Sequence, residues 1–257
     1  MKKLEELKQY TFVVRQLVAR EIKRKYSRSY LGILWSVLNP LLNMVVLSFI
    51  FTKMFSGSIE NYPLYLLTGQ TIWQLFTGAT NAAMTVMVDN RVMLTRVKFP
   101  MVIFPVARVY SALVNYLYTF VAYLLMLLVF RIRPGITMLA APLIILCVTL
   151  FSLGMGYLLA VAYVFFADIK YLYSVLLSLW MYCSAIFYPV EQLPEVIGRI
   201  IEANPVYNYI ACMRSAMLYA AWPTQAQWIR MFVWAAVMYA VGSLVFHRSQ
   251  NRIMQTV

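Results

Sequence analysis

The sequence predicts an all-α, polytopic membrane fold, and three observations carry that prediction. Apolar residues make up 63% of the 257 and charged residues only 12%, whereas soluble domains run near half apolar and a quarter charged. Five stretches, 29–52, 61–88, 109–130, 134–167 and 171–190, contain no Asp, Glu, Lys or Arg, and each reaches the roughly 20 residues that a helix needs to cross hydrocarbon. A sixth, 228–246, holds one charge, Arg230, near an end from which it can snorkel to the interface. The third observation is the segregation of Lys and Arg. With the N-terminus inside, sixteen fall on the cytoplasmic side and six outside, so both termini are expected in the cytoplasm. The net charge of +13 then follows from topology and is no nucleic-acid footprint. One membrane domain is expected over 1–257, because the remaining stretches are too short for a soluble one.

Ahead of the first span, residues 4–28 read as an amphipathic helix. Leu4, Leu7, Tyr10, Val14, Leu17, Val18 and Ile22 recur at three- and four-residue steps, while Lys8, Gln16, Arg20 and Lys23 face elsewhere. A basic helix of this kind is expected along the cytoplasmic interface. The first apolar run starts too late and is too long for a cleaved signal peptide, so the mature chain is expected to keep its start. The helix ends in the densest charge cluster of the chain, Lys23, Arg24, Lys25 and Arg28. Two readings stand for it: an anchor attracted to anionic lipid, or an entrance site for an anionic headgroup, with Arg24 and Arg28 one turn apart and sharing a face if the helix continues.

The first span carries Ser36, Asn39 and Asn43, and Pro40 removes a helix hydrogen bond there, freeing a carbonyl and predicting a kink. The second carries Gln70, Gln74, Thr77, Asn81 and Thr85 at steps of three and four, five hydrogen-bonding side chains on one face. Such stripes either tie helices together or line a polar, uncharged conduit that suits sugars better than ions. Between spans two and three the chain is basic yet strongly apolar, with Pro100 and Pro105 bracketing a short segment. An apolar cytoplasmic loop calls for a partner surface; a lipid-facing segment is the alternative. In span four, Gly154 and Gly156 permit close helix contact. Span five groups Ser174, Ser178 and Tyr182, and repeats Tyr173, Trp180 and Phe187 every seven residues, where rings could stack on a glycan or belong to an interface belt. Beyond it, Pro194 suits the first turn of a short helix through Ala203, Asn204-Pro205 breaks it, and an apolar segment resumes over 206–219. That segment is too short to span, so a pair of short re-entrant outer helices is expected over 189–220.

Several chemistries are excluded. No GxxxxGK[ST] phosphate loop, HExxH or paired-carboxylate arrangement is present, so no catalytic, metal or cofactor residue is assigned and energy must come from another subunit. No charged residue lies in mid-span, which argues against proton or sodium coupling. Cys147, Cys183 and Cys212 sit singly and indicate neither a metal site nor a disulfide framework, and His247, ending the last span, reads as an interface residue.

Taken in order, KRKYSRSYLGILWSVLNPLLNMVVLSFIFTKMF (23–55), YPLYLLTGQTIWQLF (62–76), VKFPMVIFPVARVYSALVNYL (97–117), VFFADIKYLYSVLLSLWMYCSAIFYPVEQLP (164–194) and ANPVYNYI (203–210) resemble the type-2 ABC exporter permeases that move O-antigen, capsule, teichoic acid or related glycans. The resemblance covers essentially the whole chain. It implies a bacterial or archaeal cytoplasmic-membrane protein, a dimer of two six-helix copies with two copies of a separate nucleotide-binding ATPase that uses ATP and Mg, and no cofactor on this chain. It implies a coupling helix within 96–107, with Arg96, Lys98, Phe99, Pro100, Val102 and Phe104 toward the ATPase, and outer gate helices within 189–220. Undecaprenyl-pyrophosphate-linked glycan is the implied cargo, with Lys23, Arg24, Lys25 and Arg28 at its entrance and Asn39, Asn43, Gln70, Gln74, Thr77, Asn81, Tyr173, Trp180 and Phe187 along its path. An exporter of a drug, lipid or peptide on the same fold is the alternative, and a non-transporting scaffold or ATP-independent channel the third reading.

Overall fold

Helix is the only regular structure among the described residues, as it must be where lipid offers the backbone no hydrogen-bond partner. The computed structural model describes residues 2–27, 30–55, 59, 61–96, 100–133 and 135–256. In chain order the elements are α1 (Lys2–Tyr26), α2 (Leu34–Phe55), α3 (Tyr62–Met84), α4 (Val86–Asp89), α5 (Arg91–Arg96), α6 (Ile103–Val129), a 3-10 helix (Ile136–Ala140), α7 (Ala141–Phe165), α8 (Ile169–Tyr182), a 3-10 turn (Val190–Gln192), α9 (Glu195–Ala203), α10 (Pro205–Met217) and α11 (Gln225–Thr256).

Among the described residues, four segments are both long and apolar enough to cross a membrane: Leu34–Phe51, Ile103–Val129, Ile136–Phe165 and Gln225–Thr256. The helix α3 has the length, 23 residues, but its Gln, Thr and Asn side chains dilute its apolar character. Its other faces form the centre of the bundle, with Leu64, Leu66, Leu67, Ile72, Leu75 and Phe76 buried between α2, α6, α7 and α10. The expected fifth span, 171–190, is broken: α8 has 14 residues, ~21 Å of helix against a hydrocarbon core of ~30 Å. Beyond Tyr182 the chain turns through Ala185, whose φ of 45° is left-handed. No helix continues through such a residue.

The tightest crossing joins α7 and α11. A Cβ on Gly154 would stand 2.3 Å from the carbonyl oxygen of Met238, and one on Gly242 2.1 Å from the carbonyl oxygen of Gly154. Gly156 does the same toward α3, where a Cβ would meet that of Ala83 at 2.6 Å. At Gly154 and Gly242 the helix backbones touch, and without glycine they cannot.

Part of the apolar face of α1, which the sequence lays along the cytoplasmic interface, is covered by protein. Leu17 and Val18 are buried in one cluster with Val86, Met87, Phe104 and Ile253. The last of these lies in α11, which runs past the expected end at 246 to Thr256.

Pro40 lies inside α2 and lacks the N–H that would bond the carbonyl of Ser36. Thr119 of α6 supplies the missing donor, its hydroxyl reaching Ser36 O at 2.8 Å. Replacing Thr119 by valine should therefore lower the thermal stability of detergent-solubilised protein by about 1–2 kcal/mol, the cost of one buried acceptor left unpaired. An unchanged melting curve would show that the carbonyl has another donor.

Candidate functional site

A cavity of about 600 Å³ opens where the end of α1 meets α2, α3 and α6. Each helix contributes polar side chains, those of α2 and α3 on the faces expected from their sequence period. From α2 come Ser36 and Asn39, from α3 Gln74 with the bare backbone at Gly78, and from α6 Arg108, Ser111, Asn115 and Thr119. The end of α1 adds Glu21, Arg24, Lys25 and Tyr26. Tyr26 ties three helices together: its hydroxyl pairs with Ser36 Oγ and donates to Asn115 Oδ1 at 2.7 Å. Along α3, by contrast, the side chains of Gln74 and Asn81 make no hydrogen bond among the described residues, and the buried Oε1 of Gln70 has no partner. A Cβ on Gly78 would meet nothing within 4 Å. Among the described residues the amides of Gln74 and Asn81 tie no other helix to α3.

Charge closes the cavity at its α1 end. Arg108, 9% exposed, divides its guanidinium between Glu21 Oε2 on α1 and Asp89 Oδ2 at the end of α4, each at 2.7 Å. Arg24 reaches the same Glu21 oxygen at 3.1 Å, and Arg20 donates to Asn90 Oδ1 at 2.7 Å. The Glu21–Arg108 pair, 11% exposed on each side, costs several kcal/mol to break from one side, because the surviving charge is stranded. These contacts fix α1 to α4 and α6.

At the opposite end the irregular chain after α8 is held by side chains, which is how such backbone survives within a helical bundle. Four successive carbonyls are capped. Arg214 of α10 donates to Ala185 O at 3.0 Å and Ile186 O at 2.9 Å, Tyr62 to Phe187 O at 2.8 Å, and Tyr65 to Tyr188 O at 3.0 Å. The Arg214 guanidinium also lies 3.3 Å from the centroid of the Tyr65 ring, a cation-on-ring contact that is strong where water is excluded. Asn204, between α9 and α10, accepts from Val206 N and Trp180 Nε1, both at 2.9 Å, and donates to Cys183 O at 2.9 Å. The expected break at Asn204-Pro205 is thus a helix cap and a clasp on the end of α8.

The sequence-predicted residues separate into groups. Arg24, Lys25, Asn39 and Gln74 meet in the cavity. Asn43 sits one turn along α2 and donates to Asn39 Oδ1 at 3.1 Å; Gln70, Thr77 and Asn81 continue the α3 face, although Thr77 turns its hydroxyl back to Trp73 O at 2.9 Å. Lys23 is exposed on α1 away from the cavity lining, Arg28 lies outside the described residues, and α1 stops at Tyr26. The three aromatics of the fifth span are packing residues here. Tyr173 is buried with its hydroxyl on Thr80 at 2.8 Å, Trp180 stands edge-on to Phe76 at 5.3 Å, and Phe187, past the end of α8, stacks on Phe51 at 6.4 Å. In the predicted coupling segment Phe104 is buried under α1, Val102 is half-buried and Pro100 exposed. Arg96 ends α5, and Lys98 and Phe99 lie outside the described residues. Among the described residues just before this segment, Val88 on α4 and Val92 on α5 are 44% and 62% exposed.

Sequence reasoning missed Glu21, Tyr26 and the face of α6. The signal for that face was present, since Arg108, Ser111, Asn115 and Thr119 recur at steps of three and four, the same period that exposed the α3 stripe. Glu21 carried no such signal; its partner on α6, Arg108, lies 87 residues away in the chain.

This architecture, with apolar spans carrying uncharged polar stripes and a basic helix at their base, is that of a transporter's membrane subunit. The chain belongs to the ABC-2 type transporter family, which matches residues 13–218. Among its relatives is the O-antigen export system permease protein RfbA of Myxococcus xanthus, 26% identical over 98% of both chains. RfbA of Klebsiella pneumoniae is 27% identical over 92% of this chain and 91% of its own. The polysialic acid transport protein KpsM of Escherichia coli is 23% identical over 95% of both.

Proposed function

We propose that this chain is the permease subunit of an ATP-driven exporter of lipid-linked polysaccharide in a bacterial cytoplasmic membrane. The observation that carries the reading is the open α3 face, whose Gln74 and Asn81 lack partners beside a cavity with a basic rim. An uncharged row of amides and hydroxyls facing out of the bundle is unfavourable against lipid and suits the hydroxyls of a sugar chain. Set against a second copy of the chain, two such faces enclose a path. The similarity to O-antigen and polysialic acid transport proteins supports the cargo class. In this reading α2, α3, α6, α7, α8 and α11 are the six spans, with the short α8 completed by the clasped turn after it, both termini are cytoplasmic, and α9 and α10 form the outer gate. The basic end of α1 waits in the inner leaflet for a pyrophosphate-linked headgroup.

The energy comes from a separate ATPase that binds ATP and Mg and docks on α5 and its flanks. Val88 and Val92 are exposed apolar side chains there among the described residues. Converting both to Asp should abolish co-purification of the ATPase and its stimulated hydrolysis, with membrane insertion unchanged; retention of both activities would move the docking surface elsewhere. The function itself is tested by reconstituting the permease and ATPase in vesicles with undecaprenyl-pyrophosphate-linked glycan. ATP-dependent appearance of glycan on the far side is expected. Transport of a small amphiphile in its place would make the chain an exporter of drug or lipid.

A further inference from the structure

We infer that Arg108 is a diphosphate ligand inside the cavity, and that Glu21 is its resident counter-charge, displaced when the diphosphate binds. The inference rests on the proposed cargo and adds a residue and a step to it. Arg24 and Arg108 approach a single oxygen, Glu21 Oε2, at 3.1 and 2.7 Å from different helices. Two guanidiniums converging on one point form a ready oxyanion site, since their N–H groups donate to a phosphate oxygen as they do to a carboxylate oxygen.

Glu21 fills that site poorly. Its other oxygen, Oε1, is buried without a hydrogen bond, with Arg20 no closer than 3.7 Å. A buried carboxylate oxygen left in that state is costly, and a phosphate group, with more oxygens to share, satisfies the same donors more fully. The charges lining the cavity are Arg24, Lys25 and Arg108 against Glu21. Removing Glu21 from contact leaves three positive groups around the two negative charges of a doubly esterified diphosphate. Asp89 retains the second fork of Arg108 at 2.7 Å, so the guanidinium keeps its aim when Glu21 swings away. Exchange of one anion for another also loosens α1 from α6, because the Glu21 pair is one of the bonds between them.

The test uses the complete transporter in nanodiscs with farnesyl diphosphate as the probe, and farnesol and inorganic pyrophosphate as competitors. Glu21→Gln should tighten binding about tenfold, equivalent to about 1.4 kcal/mol. The double variant E21Q/R108Q removes both members of the pair, and its fold is verified by size exclusion. It should bind at least about tenfold more weakly than E21Q. If Arg108 serves only to neutralise Glu21, the double variant binds like E21Q and the inference fails. It fails also if E21Q binds no more tightly than the native transporter while the native transporter does bind farnesyl diphosphate, an outcome that leaves the cargo reading standing. No binding by the native transporter overturns both. Competition by farnesol as strong as by farnesyl diphosphate overturns the diphosphate assignment. Competition by inorganic pyrophosphate equal to the prenyl form assigns the site to the diphosphate itself, and weaker competition to its lipid-borne form; each supports the ligand role of Arg108.

Discussion

Replacing Gly154 by leucine is expected to remove the folded protein from the membrane fraction, or to leave a species that melts at far lower temperature in detergent. Even a methyl group at this position falls 2.3 Å from a carbonyl oxygen of the facing helix, and the facing atoms are backbone, which cannot rotate aside. Overpacking a core with movable side chains costs about 1–3 kcal/mol; here α7 and α11 must separate along their length, so the loss should exceed that range. Gly242→Leu should behave alike, since it meets the Gly154 carbonyl from the other side at 2.1 Å. Melting curves of the two variants, followed by fluorescence-detected size exclusion, decide the matter. Native-like melting of either one would mean that the helices do not cross this closely.

Arg214→Met should leave the protein inserted but free the turn after α8, with export falling sharply. The substitution keeps much of the side-chain volume and removes the donors to Ala185 O and Ile186 O together with the contact on the Tyr65 ring. Each buried carbonyl stranded in this way costs about 1–3 kcal/mol. Arg214→Lys should fall between, because one ammonium cannot serve the same fork and stack. Hydrogen exchange read over 183–218 is the direct measure: faster exchange there, with α6 and α7 unaffected, is expected. Protection equal to the native protein in Arg214→Met would show the turn to be held by Tyr62, Tyr65 and Asn204 alone.

Spans were legible where charge-free length and period agreed, as for α2, α6, α7 and α11, because the bilayer imposes both on any helix it surrounds. The region after span five was legible in its helices and their break, which Pro194, Asn204 and Pro205 mark locally. Its early turn was not. Nothing in the run through Ala185 distinguishes a continuing helix from one arrested by side chains of α3 and α10, which stand far away in sequence. The cavity divides the same way. Its amides could be read from helical steps, but the Glu21, Arg108 and Asp89 network joins three separate elements, and in the sequence Arg108 was counted only toward topology. The aromatic repeat of span five shows the converse failure: a seven-residue period marks a shared helix face, and Tyr173 and Trp180 turn that face inward to Thr80, Phe76 and Asn204.

The burial of Ile253 with Leu17 and Val18 bears on how the chain is made. Synthesis runs from the N-terminus, so α1 emerges first, yet part of the surface that covers it belongs to the last turns of α11 and arrives with the final residues. Until then its apolar side has only the earlier-made part of that cluster to rest on, Val86, Met87 and Phe104 among it. Docking of α1 is therefore completed after translation, and chains interrupted before residue 253 carry an N-terminal helix whose apolar stripe is partly bare.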